Sequence, residues 1–126
     1  MNKTKPPLDQ QTLSHKCIFC KIGTGETSSE ILYRDASCFV IRDINPIAAV
    51  HLLVIPNRHF TSLYRFTNEE YSIIGIMFEA AKHMADVEGI LDSGYRMVFN
   101  QGTNAGQIIE HLHLHVLGGK LLGAMG

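Results

Sequence analysis

Cysteine, proline and charge are all scarce in this chain: three cysteines, four prolines and 18% charged residues among 126, with no tryptophan. Three cysteines are an odd number, which suits a reducing compartment better than a disulfide framework and makes the cytoplasm the expected location. Eleven Lys and Arg stand against twelve Asp and Glu, a formal charge of −1. Without a general basic field the chain is not expected to bind nucleic acid, and a phosphate-bearing ligand has to be held locally by amides, imidazoles or a metal. No apolar run approaches the ~18 residues of a membrane span, so no membrane partner is expected. Met1 to Ser14 is polar, carries Pro6-Pro7 and lacks the apolar core of a secretory signal. We read 1–14 as a disordered tail and 15–126 as one domain, large enough to bury about two-thirds of its unfolded surface.

What the chain does hold is concentrated near its end, in His111-Leu112-His113-Leu114-His115-Val116-Leu117. Read as a β-strand, His111, His113 and His115 share one face and the apolar residues the other. The imidazoles would then be roughly 6.6 Å apart along the strand, close enough for several to serve one phosphate-sized group or a metal. A lone histidine in a strand is usually a tolerated, hydrogen-bonded side chain. Three at period two among apolar neighbours incur a desolvation cost that leucine or valine would not. Imidazole is the commonest metal ligand, and near pH 7 it is also a competent nucleophile or general base.

Upstream, Cys17-Ile18-Phe19-Cys20-Lys21-Ile22 fits a short helical turn. Its two thiols read as half of a tetrahedral zinc site in preference to a redox pair, because no βαβ pattern surrounds them; two cysteines that merely pack are the third reading. Residues 31–34 and 38–42 suggest a hairpin, and Asp43, before Asn45-Pro46, is either a turn residue or an acceptor for ribose hydroxyls. A third strand covers 51–55, with His59 just beyond. Thr67 and Glu70 form a capping-box pattern ahead of a long helix whose apolar stripe runs from Ile73 to Val87 and ends at Gly89. The methionines and His83 of that helix read as packing and surface. A fourth strand covers 95–100. The loop 101–108 contains Gly102 and Gly106, whose freedom lets backbone amides converge on an anion. The sum is an α+β domain, an antiparallel sheet of about five strands with one long helix covering one side, and strand edges that a dimer would bury.

These blocks resemble the histidine triad (HIT) family, most closely its nucleoside phosphoramidase branch, the Hint-type proteins. The likeness runs from Cys17 to Met125 through CIFCKI at 17–22, FVIRDINP at 39–46, HLLVIPNRH at 51–59, GYRMV at 94–98, Gly106-Gln107 and the histidines. It implies a HIT-like fold, with two sheets joined across a homodimer through the long helix and the strand ending at Asn100. It also implies a purine nucleotide ligand and His113 as the nucleophile that attacks the α-phosphorus of a nucleoside phosphoramidate, forming a nucleotidyl-histidine that water hydrolyses to the nucleoside monophosphate. His115 and His51 would polarise or orient, with His111 completing the catalytic set. Asn100, Gly106, Gln107 and the amide of Ile108 would assist at the phosphate and Asp43 would hold the ribose. Ile18, Phe19, Ile22, Ile41 and Ile44 would form the slot for the base. A structural zinc on Cys17, Cys20, His59 and His111 is implied, with no metal required at the phosphate. Many relatives carry serine where this chain has Ile108, so the leaving-group preference is expected to differ. The rival readings are a dinucleoside polyphosphate or adenylyl sulfate hydrolase, and a nucleotide-binding scaffold with little turnover.

Overall fold

A computed structural model describes residues 16–126, so the expected tail at 1–14 lies outside the described residues. Helix α1 (Ile18–Thr24) opens them and is followed by strands β1 (Tyr33–Arg34), β2 (Cys38–Arg42) and β3 (Val50–Pro56). The long helix α2 (Tyr71–Val87), β4 (Tyr95–Val98) and β5 (Leu114–Gly118) complete the order, with short 3-10 turns at Leu63–Arg65 and Thr103–Ala105. The five strands form one sheet in the order β1-β2-β3-β5-β4, antiparallel throughout.

The hairpin turn between β1 and β2 is fixed by Asp35, whose Oδ1 accepts the N–H groups of Ser37 and Cys38 at 2.7 and 2.8 Å. The same residue's other oxygen takes the Tyr33 hydroxyl at 3.0 Å. Glu70 performs one half of the expected capping box, accepting the Thr67 N–H at 2.9 Å. At the far end of α2, Gly89 adopts a φ of 78° that a side chain would disfavour, and the helix ends there as its sequence indicates.

Period-two alternation sorts the strands into two faces. Cys38, Val40, Leu52, Val54, Leu114 and Val116 pack under α2, against Met77, Ala80, Ala81 and Met84. The opposite face carries Phe39, Ile41, Leu53 and Ile55, and Phe19 of α1 packs onto it. Helical cover therefore lies on both faces, where one covered side was expected. The Cys-x-x-Cys segment is a true helix, and Phe19 gives it an apolar anchor to the sheet. His83 is exposed on α2 and stacks on Tyr33 with ring centroids 5.3 Å apart, a surface role as expected.

The ladder of β5 begins at Leu114, three residues later than the histidine pattern suggests. Leu114 pairs with Val54, and β3 runs on only to Pro56. Proline has no N–H to give a neighbouring strand, which ends the pairing. Residues 111–113 are instead held individually: the Leu112 N–H bonds to the Phe60 carbonyl at 2.6 Å, and the His111 ring takes over the Pro56 carbonyl. This early end of the ladder separates His111 from the other two histidines.

Candidate active site

His115 lies on β5 directly opposite Leu53 of β3, and His51 sits two residues before Leu53, on the same sheet face. The two rings meet, with His51 Nε2 and His115 Nδ1 2.9 Å apart. Hydrogen-bond partners assign the protons in this pair. The Ile47 N–H donates to His51 Nδ1 at 3.2 Å, so His51 carries its hydrogen on Nε2 and donates it to His115 Nδ1. His115 then carries its own hydrogen on Nε2, free to be given to an anion. Asp43 stands behind the relay, one oxygen 3.3 Å from His51 Nε2 and the other accepting the Asn45 N–H at 2.8 Å.

His113 is held differently. Its Nδ1–H donates to the carbonyl of His111 at 2.6 Å, which leaves Nε2 as the nitrogen with an available lone pair. Phe19 packs edge-on to the ring, centroids 5.1 Å apart, and His115 lies beyond it at 5.0 Å. A ring fixed by a carbonyl on one side and an aromatic edge on another presents its basic nitrogen in a defined orientation, the requirement for nucleophilic attack.

All the nucleotide-site residues expected from the sequence, Gln107 apart, line one cavity of about 420 Å³, His113 and His115 included. Ile18, Phe19, Ile22, Ile41 and Ile44 make most of it apolar; Asp43, Asn100 and Gly106 add polar groups. Gln107 lies elsewhere in the loop, its amide bonding the carbonyls of Thr61 and Ile109 at 3.4 and 3.2 Å and accepting the Gly102 N–H at 2.8 Å. It braces the loop that carries Gly106 and Ile108. Arg42, Asn45, Leu53 and Ile109 complete the lining without having been expected. Leu53 could have been found, since period two from His51 places it on the histidine face.

His111 is fully buried, and its ring joins a different cluster. The Nε2–H donates to the Pro56 carbonyl at 2.9 Å, turning a bare Nδ1 toward Cys17 Sγ at 3.3 Å and Cys20 Sγ at 3.6 Å. His59 Nδ1 approaches Cys20 Sγ at 3.3 Å. The four donor atoms lie within 4.8 Å of one another. A tetrahedral ion bound at ordinary zinc distances sets sulfur and nitrogen ligands about 3.6 Å apart, and the observed separations match. This Cys₂His₂ set could hold a metal ion. Asp43, His51 and His115 are also mutually close, but the Ile47 N–H occupies one nitrogen of His51 and forces the hydrogen onto the other, so that trio is arranged as a proton-bearing relay.

A family model described as "Scavenger mRNA decapping enzyme C-term binding" matches residues 16–125. The purine nucleoside phosphoramidase of Escherichia coli K12 is 37% identical over 113 residues, 90% of this chain and 95% of that protein. The chain belongs to the histidine triad family. Its fold stands among that family's hydrolases. A HIT family hydrolase from Clostridium thermocellum superposes with a TM-score of 0.85 at 40% identity, covering 88% of this chain and 96% of that one. A zinc-bound histidine triad family protein from Mycobacterium smegmatis superposes with a TM-score of 0.72 at 29% identity, covering 84% and 76%.

Burial sets the charge of this histidine triad site. His115 is pushed down to about 4, first by burial and then by His113 and His51 beside it, with Asp43 opposing. His51 and His59 are lowered by burial as well, opposed by Asp43 and Glu110 respectively. His111 falls to about 4, again through burial, so its ring stays neutral as a ligand must. An unfolded histidine titrates near 6.5. Between that pH and about 4 the unfolded chain holds protons on His111 and His115 that the folded chain does not. The stability they protect is therefore full above pH 6.5 and declines as the pH falls toward 4. Urea midpoints followed by circular dichroism should drop from pH 7 to pH 4.5, and His115→Gln should reduce the slope by up to about one proton. An unchanged slope in that variant would remove His115 from the account.

Proposed function

We propose that this protein hydrolyses the P–N bond of purine nucleoside phosphoramidates through a nucleotidyl-histidine intermediate on His113. The observation that carries the reading is the His113 Nδ1–H bond to the His111 carbonyl, which leaves Nε2 bare in a cavity large enough for a nucleotide. The activity named for the E. coli relative supports the choice of bond. His113 Nε2 forms a bond to the α-phosphorus as the P–N bond breaks, and the nitrogen takes a proton from solvent to leave as the amine, a proton that the later attack of water returns. Water then attacks phosphorus, the bond to His113 breaks, and nucleoside monophosphate is released with the ring neutral again. His115, donating through Nε2, stabilises negative charge on the phosphate oxygens, and His51 with Asp43 keeps His115 in that tautomer. Asn100 and the Gly106–Ile108 loop amides add donors, Gln107 supporting the loop. Asp43 also holds the ribose, and the base lies among Ile18, Phe19, Ile22, Ile41 and Ile44. No metal is required at the phosphate.

Zinc on Cys17, Cys20, His59 and His111 ties α1, the segment after β3 and the start of the triad into one unit. Its chemistry there is structural, since four protein ligands leave no open position. Two chains associate through α2 and the outer edge of β4, which has no neighbouring strand among the described residues, and thiolate ligands suit the cytoplasm. Adenosine 5'-phosphoramidate should be turned over with a kcat/KM at least about tenfold above that of diadenosine polyphosphates or adenylyl sulfate. The opposite ranking would assign a different leaving group to the same nucleophile. Tight AMP binding without turnover of any of them would make the protein a nucleotide-binding module. Sedimentation in the same buffer should return twice the chain mass.

A further inference from the structure

The nucleotide cavity has a neighbour on the same side of the molecule. A second cavity of about 470 Å³ shares Ile18, Ile108 and Ile109 with it, and continues past them to Thr61, Lys16 and Glu110, with Cys17 and His59 of the Cys/His cluster also in its wall. Ile108 stands on this common boundary 91% exposed, and Ile18 beside it is 40% exposed. An isoleucine so exposed adds little to the core, whereas a ligand crossing from one cavity to the other would cover it.

We propose that the second cavity receives the leaving group of the substrate and that Ile108 selects amines with an apolar stem. The inference rests on the P–N reading above. In-line displacement drives the leaving group away from His113, which like His115 is half-buried, toward the more exposed rim of the cavity. That rim carries Ile108, and beyond it lies the space that Ile18 and Ile109 help to enclose. Lys16 and Glu110 bring one charge of each sign to the second cavity, so net charge favours neither cationic nor anionic amines. The apolar part of the lining is Ile18, Ile108 and Ile109, at the boundary with the nucleotide cavity, and contact with these three is what discriminates between amine stems.

Primary alkylamines from ethyl to hexyl have nearly equal basicity, so their AMP phosphoramidates differ in stem length and little in leaving ability. With zinc-loaded full-length protein, kcat/KM should rise about tenfold from the ethyl to the hexyl compound. Ile108→Ser should flatten most of that rise and Ile108→Leu should keep it. The exposure of residue 108 makes both substitutions compatible with the fold. Rates independent of stem length in all three proteins would overturn the subsite while leaving P–N hydrolysis standing. Absence of turnover across the series would instead remove the hydrolase reading. Calorimetric affinities for the hexyl compound then decide the subsite alone: equal values for the wild type and Ile108→Ser overturn it.

Discussion

Replacing His113 with alanine should lower kcat for an AMP phosphoramidate by at least about 10⁴-fold, because removing a nucleophile commonly costs enzymes between that and 10⁶. Intact-mass measurement in single turnover should show a transient nucleotidyl adduct on the wild type and none on the variant. AMP affinity should survive within a few fold, since the apolar slot and the loop amides remain. The geometry makes the effect specific to this histidine. His115 has its Nδ1 filled by His51 and is lowered by burial to about 4, so it enters as a neutral donor. His51 is committed at both ring nitrogens. Only His113 of the three presents a bare nitrogen to the cavity. His115→Ala should slow the reaction by about 10²-fold, the usual loss for one charge-stabilising donor, and should still form adduct. Turnover by His113→Ala within tenfold of wild type would end the covalent reading.

Removing zinc should have the largest effect on stability. A ligand at a thousand times its dissociation constant contributes about 4 kcal/mol, which for a domain of this size corresponds to roughly 15 °C in melting temperature. Protein purified without chelator should carry close to one zinc per chain, and stripping it should lower the melting temperature by about that amount, with recovery on adding the metal. Cys20→Ala should reproduce the loss. The bridging role explains the size: Cys17 and Cys20 belong to α1 and its cap, His59 to the segment after β3, and His111 to the approach to β5. Without the ion, the three segments keep only the Phe19 packing and a few hydrogen bonds, among them Leu112 N–H to the Phe60 carbonyl and His111 to the Pro56 carbonyl. Cys38 stands apart, fully buried, its thiol pushed up to about 12 by burial and by Asp35. It should stay unreactive toward thiol reagents in folded protein, while Cys17 and Cys20 become reactive after zinc is stripped. Zinc well below one per chain in freshly purified protein would sink the metal site.

The period-two rule placed His111, His113 and His115 on one strand face, a local relation because alternation along a strand follows from backbone geometry; that His51 meets His115 is decided by the pairing of β3 with β5. Helical spacing likewise gave the stripe of α2, and the capping residues gave its start. Spacing of residue types brought Cys17 and Cys20 together, because a single turn of helix separates them. What one sequence could not state is where the ladder stops, and that depends on Pro56 in a strand far from the histidines. Because the pairing ends there, His111 turns to the thiols and its carbonyl to His113. The tautomers belong to the same class of fact. They are set by the Ile47 amide, the Pro56 carbonyl and the His111 carbonyl, backbone groups that every residue type carries and that leave no mark in composition or spacing. The histidines of the site are legible in their order, while the division of labour among them comes from which distant backbone atom each ring meets.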